Sequence, residues 1–133
     1  MSSPSKVRVG DSCLDAYRHL KEHRDVNTVV FAIASGVLEA ETSANWTHDE
    51  LLGSLPGDQP RLILHELPFA TATGARRHEL VLVSWMPGGE SRDDAAYTAG
   101  YEALKELFTE AHVHLTARQP AHLAYDRLVA LAD

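Results

Sequence analysis

The 133-residue chain carries twelve Lys and Arg against nineteen Asp and Glu, a formal charge of −7, and its densest basic run is the pair Arg76-Arg77. A nucleic-acid binder needs a basic stripe to displace counterions from phosphate, so that class is disfavoured, as is general attraction to an anionic membrane. No apolar run is long enough to span a bilayer, so no membrane insertion is expected, and the length fits a single domain over residues 1–133.

Residues 1–6 read as a flexible tail without the apolar core of a signal peptide. The lone Cys13 forms no internal disulfide and suits a reducing, cytoplasmic setting. Asp11 or Ser12 is placed to cap a helix reaching about Arg24, with Cys13, Leu14, Tyr17 and Leu20 on its apolar stripe. Thr28–Ile33 predicts a strand, Ser35-Gly36 a turn, and Val37–Glu41 a second strand. Thr47 with Glu50 makes a capping box for a short helix that ends at Leu55-Pro56-Gly57.

Arg61–Glu66 predicts a third strand and Leu67–Arg77 a loop. Glu79–Ser84 then reads as a strand covered on both faces, since Leu80-Val81-Leu82-Val83 shows no alternation. Trp85-Met86-Pro87-Gly88-Gly89 breaks it, because proline cannot donate to a ladder and paired glycines permit a sharp turn. Ser91 or Asp93 can cap the helix that follows. Its stripe is Ala96, Tyr97, Gly100, Tyr101, Leu104, Leu107, Phe108 and Ala111, about four turns at 3.6 residues each. Val113–Thr116 predicts a brief strand, and Pro120 opens a last helix through Leu131 with Leu123, Leu128 and Leu131 as apolar positions. The order suggests an α/β sandwich, a mixed sheet with helices on both faces.

Reactive constellations are sparse. His19-Leu20-Lys21-Glu22-His23 matches the H-x-x-E-H spacing of some zinc peptidases, but activating water would also need a third ligand and a deep cleft. His112-Val113-His114 would put two imidazoles on one strand face, where packed or solvated histidines are the ordinary outcome. Cys13 lies on an apolar stripe as filler rather than nucleophile. Ser84 lacks the G-x-S-x-G elbow, and Gly88-Gly89 lacks the Lys-Ser/Thr of a phosphate loop and faces Asp93 and Asp94. No catalytic residue, metal site or cofactor is expected.

The order of elements and several local motifs resemble the actin-depolymerising factor/cofilin family. The family's strand, Trp-x-Pro, basic residue and Tyr-bearing helix correspond to Leu80-Val81-Leu82-Val83-Ser84-Trp85-Met86-Pro87, Arg92 and Tyr97. Its Leu-Pro after the short helix is Leu55-Pro56, its Tyr-Asp in the last helix is Tyr125-Asp126, and Ser5-Lys6-Val7 resembles its N-terminal Ser-Gly-Val. The resemblance covers nearly the whole chain, and the order and spacing of these motifs carry it. It implies a five- or six-stranded mixed sheet flanked by helices, no enzymatic activity, and a cytoskeleton-associated monomer that binds actin.

Carried over by position, the actin-monomer contact would include Ser5, Lys6, Val7, Arg92 and Ala95, and a filament contact would use Arg76, Arg77 and Arg127. Ser5 also matches a position phosphorylated in many cofilins, where a charge of roughly −2 would oppose docking on acidic actin; the alternative is an ordinary serine in a loose tail. Arg76-Arg77 is either such a contact or a solvated hairpin tip. Arg92 either makes a contact or neutralises Glu90, Asp93 or Asp94. A phosphoinositide is carried as a second candidate ligand. The sequence departs from the family where two cations and a Met are usual: Arg92, Asp94 and Ala95 keep one cation, invert the other and truncate the apolar anchor. The second basic position of the filament loop is Glu79. Monomer binding is therefore expected over severing. The alternative is the same fold turned to a non-actin partner, as in coactosin-like or glia-maturation-factor-like relatives.

Overall fold

The computed structural model describes residues 7–23, 25–87 and 94–133. Its elements run β1 (Arg8–Val9), α1 (Asp11–Glu22), β2 (Thr28–Ala34), β3 (Val37–Ala44), α2 (His48–Ser54), β4 (Arg61–Ala70), β5 (Arg76–Trp85), α3 (Asp94–Leu107), β6 (Val113–Ala117), a 3-10 turn (Pro120–Leu123) and α4 (Tyr125–Ala132). The six strands form one mixed sheet in the order β1-β3-β2-β4-β5-β6. The outer pairs β1/β3 and β5/β6 are parallel and the inner pairs antiparallel.

Strand alternation divides the core in two. Leu62, Leu64, Leu80 and Leu82 face α1 and α3, where they meet Cys13, Tyr17, Leu20, Tyr97, Leu104 and Phe108. Ile63, Leu67, Val81, Val83 and Trp85 face the other way, onto Leu51, Leu123 and Leu128. The unbroken apolar run in β5 is thus two interleaved faces, each covered by helices, as a doubly buried central strand requires.

Ser35 and Gly36 both hold positive φ, 52° and 78°, the backbone of the tight two-residue turn that suits the twist of a hairpin. Thr47 and Glu50 complete the capping box: Thr47 Oγ1 accepts the Glu50 N–H at 3.1 Å, and Glu50 Oε1 accepts the Thr47 N–H at 2.9 Å. Opposite Phe31, β3 carries an extra residue, Glu41, which takes a forked contact from Arg61 at 3.1 and 3.3 Å.

Several sequence expectations change. Helix α1 begins from Gly10 rather than from an Asp11 or Ser12 cap. The Ser12 hydroxyl is used across the chain instead, donating to the Glu39 carboxylate and accepting the Ala40 N–H at 2.9 Å. Arg24, its expected last residue, lies outside the described residues, and the helix ends at Glu22.

The expected loop Leu67–Arg77 is mostly strand: β4 and β5 pair through Ala70↔Arg76, leaving only residues 71–75 as the turn. Pro68 is tolerated because the Glu66 N–H reaches Asn27 O on the β2 side, so two residues on, the position lacking an N–H faces an edge that β2 no longer covers. The Pro68 carbonyl on that edge accepts the Tyr125 hydroxyl at 2.7 Å.

The last helix is broken at Ala124, whose φ of −57° and ψ of 143° are extended. Leu123 and Leu128 are both about fully buried, at 1% exposure. Five residues apart on one helix they would point roughly 140° from each other, so the break turns both toward the sheet. Leu131, expected on that stripe, is exposed. Finally, His112 precedes β6, so it shares no strand face with His114; the His114 ring bonds Ala111 O at 2.7 Å.

Helix α3 lies close on the sheet at Gly100. A Cβ there would come within 3.3 Å of both Leu38 Cδ2 and Leu62 Cδ1, and both leucines are fully buried. Gly100→Val is expected to destabilise by about 1–3 kcal/mol through overpacking, despite leaving a residue of poor helix propensity. Urea denaturation of the two proteins measures this, and an unchanged midpoint would contradict the close seating of α3.

Candidate functional site

The corner after β5 is fixed from both sides. Trp85 Nε1–H donates to Pro56 O at 2.8 Å, tying the end of β5 to the segment after α2. The Met86 N–H continues the ladder to Ala117 O at 2.8 Å, and Met86 is buried. Helix α3 packs over the sheet, where the Tyr97 hydroxyl accepts the Ile33 N–H at 2.9 Å. Burial, then Glu102, pushes the Tyr101 hydroxyl up to about 12, so it stays a neutral core group.

Of the residues expected at a monomer contact, Ala95 is exposed on the first turn of α3 and Val7 is half-buried against the core. Val7 leads directly into β1, which contacts α3, so the structure brings these two elements together. Ser5, Lys6 and Arg92 lie outside the described residues, as do Ser91 and Asp93, the expected caps of α3.

Of the residues expected at a filament contact, Arg76 and Arg77 stand exposed on the outer limb of β5. Arg77 pairs with Glu79 at 2.7 Å and lies over the Phe69 ring at 5.9 Å. Glu79 therefore cancels its neighbour's charge; its other carboxylate oxygen stands 3.9 Å from the His112 ring. Arg127 is exposed on α4 beside a groove of about 450 Å³ lined with Leu115, Thr116, His122 and Leu131. The Tyr125–Pro68 hydrogen bond joins the start of that helix to the hairpin arm.

The reactive-site alternatives find no support in the geometry. His19 and His23 stack at 4.4 Å between ring centres, and His19 Nε2 is taken by Asp25 at 3.0 Å, so the rings lie against each other instead of converging. Among the described residues, no three His, Cys, Asp or Glu side chains gather as a metal site. Cys13 is fully buried, bonds Leu38 O at 3.3 Å, and is pushed up to about 11 by burial and then by Glu39. A thiol in that state is no nucleophile at neutral pH.

The cluster that sequence reasoning passed over is His48, His65 and Tyr125, around a pocket of about 540 Å³. His65 falls in the apolar run of β4 and is 3% exposed. Burial, then the nearby His48, pulls its imidazole down to about 4. A single histidine inside Leu62–Leu67 was the available signal, since strand parity places it with Ile63 and Leu67 on the face covered by α2.

A family profile described as "Cofilin/tropomyosin-type actin-binding protein" matches residues 6–131. The chain belongs to this family. The cofilin of Schizosaccharomyces pombe is 24% identical over 129 residues, spanning 94% of this chain and 93% of that protein. Actin-depolymerizing factor 2 of Zea mays is 23% identical over 130 residues, spanning 94% of each. In three dimensions the chain is similar to the crystal structure of Streptomyces griseoflavus cofilin, with a TM-score of 0.85 and 22% identity over 96% of this chain and 99% of that one. Coactosin from Entamoeba histolytica is similar at a TM-score of 0.79 and 17% identity, over 95% and 94%. The six-stranded mixed sheet and its helices are thus the cofilin fold, and the cofilin family is the frame in which the surfaces above are read. No helix among the described residues is long and apolar enough to cross a membrane.

Proposed function

We propose that this chain is a non-enzymatic, cytoplasmic, single-domain regulator of actin turnover that binds the monomer in preference to the filament. The reading rests on the cofilin-family match across residues 6–131. It is supported by a fold that leaves the first turn of α3 exposed at Ala95. In this reading α3 enters an apolar cleft on actin, with Val7, Lys6 and Ser5 alongside and Arg92 at the rim. Binding energy comes from surface complementarity and not from bond chemistry. Any effect on filaments follows from preferring one subunit orientation over another.

Four features argue for modest affinity and against strong severing. Ala95 offers little apolar area, where a Met anchor would add on the order of 2 kcal/mol. Asp94 places an acid where a cation would meet an acidic partner, and the net charge of −7 gives unfavourable steering. On the hairpin, the Arg77–Glu79 pair at 2.7 Å withdraws one of the three cations a filament contact would use. Phosphorylation of Ser5 would add like charge to the docking tail, and a phosphoinositide would compete for the same cations.

Sedimentation with filaments and a fluorescence assay on labelled monomer test this directly. Ala95→Met is expected to tighten monomer binding by up to about 2 kcal/mol, and Arg92→Ala to weaken it. Indifference to both substitutions places the contact on another surface. Absence of binding to either form of actin at tens of micromolar, with a different protein recovered by pull-down, favours the non-actin reading.

A further inference from the structure

We propose that His48 and His65 form a two-imidazole site for a divalent transition-metal ion of the zinc or copper type. The site lies under α2, on the opposite face of the sheet from α3 and the proposed monomer contact. The argument begins at Asn27, whose side-chain amide is oriented by the backbone of Trp46. Its Nδ2 donates to Trp46 O at 2.8 Å and its Oδ1 accepts the Trp46 N–H at 2.9 Å.

That Oδ1 also lies 2.8 Å from Thr28 Oγ1 and has no hydrogen to give, so the single Thr28 proton goes to it. Thr28 Oγ1 is then an acceptor toward His65 Nδ1, 2.7 Å away. His65 is thereby held as the tautomer with its hydrogen on Nδ1 and a bare lone pair on Nε2. A hydrogen-bonded second shell that pins one ring nitrogen and bares the other is the arrangement metal-binding imidazoles use.

His48 supplies the complementary fact. Both of its ring nitrogens are sealed from solvent and neither has a hydrogen-bond partner among the described residues. Its ring sits edge-on to Tyr125, with centres 5.7 Å apart at 82°, and to His65, 6.5 Å apart at 61°. One nitrogen of the neutral ring carries a lone pair, and it is left unused, which buried polar groups seldom do. The adjoining pocket of about 540 Å³, lined also by Asn45, Thr47 and Glu50, gives an ion an entry path and room for water.

Imidazole nitrogen prefers zinc, copper and nickel over magnesium or calcium. Bonds of about 2.0–2.1 Å require the two rings to draw together by roughly 1 Å, and His48, the first residue of α2, is placed to supply that movement. Without a third protein ligand among the described residues, water completes the coordination and the ion is exchangeable.

Calorimetric titration of metal-free protein with zinc, copper and magnesium chlorides at about pH 7.5 tests the site. One zinc or copper ion per chain and no magnesium is expected. His48→Ala should weaken zinc binding roughly tenfold or more, while the double variant His19→Ala/His23→Ala should leave it intact. Should His65→Ala fail to fold, long-range nitrogen-15 spectra of the wild type decide instead, since zinc must shift His65 Nε2 and not Nδ1. Zinc binding that survives His48→Ala, that disappears with His19 and His23, or that is absent up to about 1 mM overturns the proposal. None of these outcomes bears on actin binding, which is measured separately.

Discussion

Replacing Phe108 with alanine is expected to destabilise the fold by about 3–5 kcal/mol, the usual range for a fully buried aromatic. Phe108 is 0% exposed immediately after α3 and stacks on Tyr17 of α1 at 4.3 Å and 18°. It also meets Phe31 of β2 at 5.6 Å. One ring therefore joins the two helices of this face to the centre of the sheet, and its removal leaves a cavity that no single neighbour fills. Chemical denaturation measures the loss. Should Phe108→Ala not fold, Phe108→Leu retains part of the contact and should show a smaller loss in the same direction. A wild-type midpoint in either variant would show that α1 and α3 are held by other contacts.

Acidification should remove a further part of the stability through His65. Its imidazole is pulled down to about 4 in the fold, first by burial and then by the neighbouring His48, from an ordinary value near 6.5. Between those values the unfolded chain binds a proton that the folded chain refuses, so stability rises with pH across the window. The contribution is whole above about 6.5, is lost as pH falls from there toward about 4, and changes no further below that. Fully developed, the difference is worth about 3 kcal/mol. Denaturation of wild type and His65→Gln, both in chelator, should show wild type losing more stability than the variant between about pH 7 and about pH 4.5. Parallel curves would contradict the buried neutral imidazole.

What could be read from the sequence was whatever depended on nearest neighbours. The Thr47–Glu50 capping box, the Ser35-Gly36 turn and the apolar stripe from Tyr97 to Phe108 are local agreements between side chain and backbone, and all appear where expected. Contacts across the fold were illegible. Pro68 and the run Ala70-Thr71-Ala72-Thr73-Gly74 read as loop because proline and glycine usually interrupt strands. Nothing in the neighbouring letters says that Pro68 faces an edge that β2 leaves uncovered. The break at Ala124 depends on where the sheet needs Leu123 and Leu128, not on the helix propensity of Ala121 or Ala124. Ser12 looked like a cap because its partner Glu39 is 27 residues away. The proposed docking surface was legible only by resemblance, since an exposed Ala95 or Arg76 carries no local mark of what it touches.

The hairpin of β4 and β5 extends past the last residue that β2 covers, so its outer β4 margin would ordinarily invite another molecule to add a strand. Proline at 68 removes one donor from that margin, and the Tyr125 hydroxyl occupies the carbonyl of the same residue. The projecting arm is thereby a poorer backbone template for self-association.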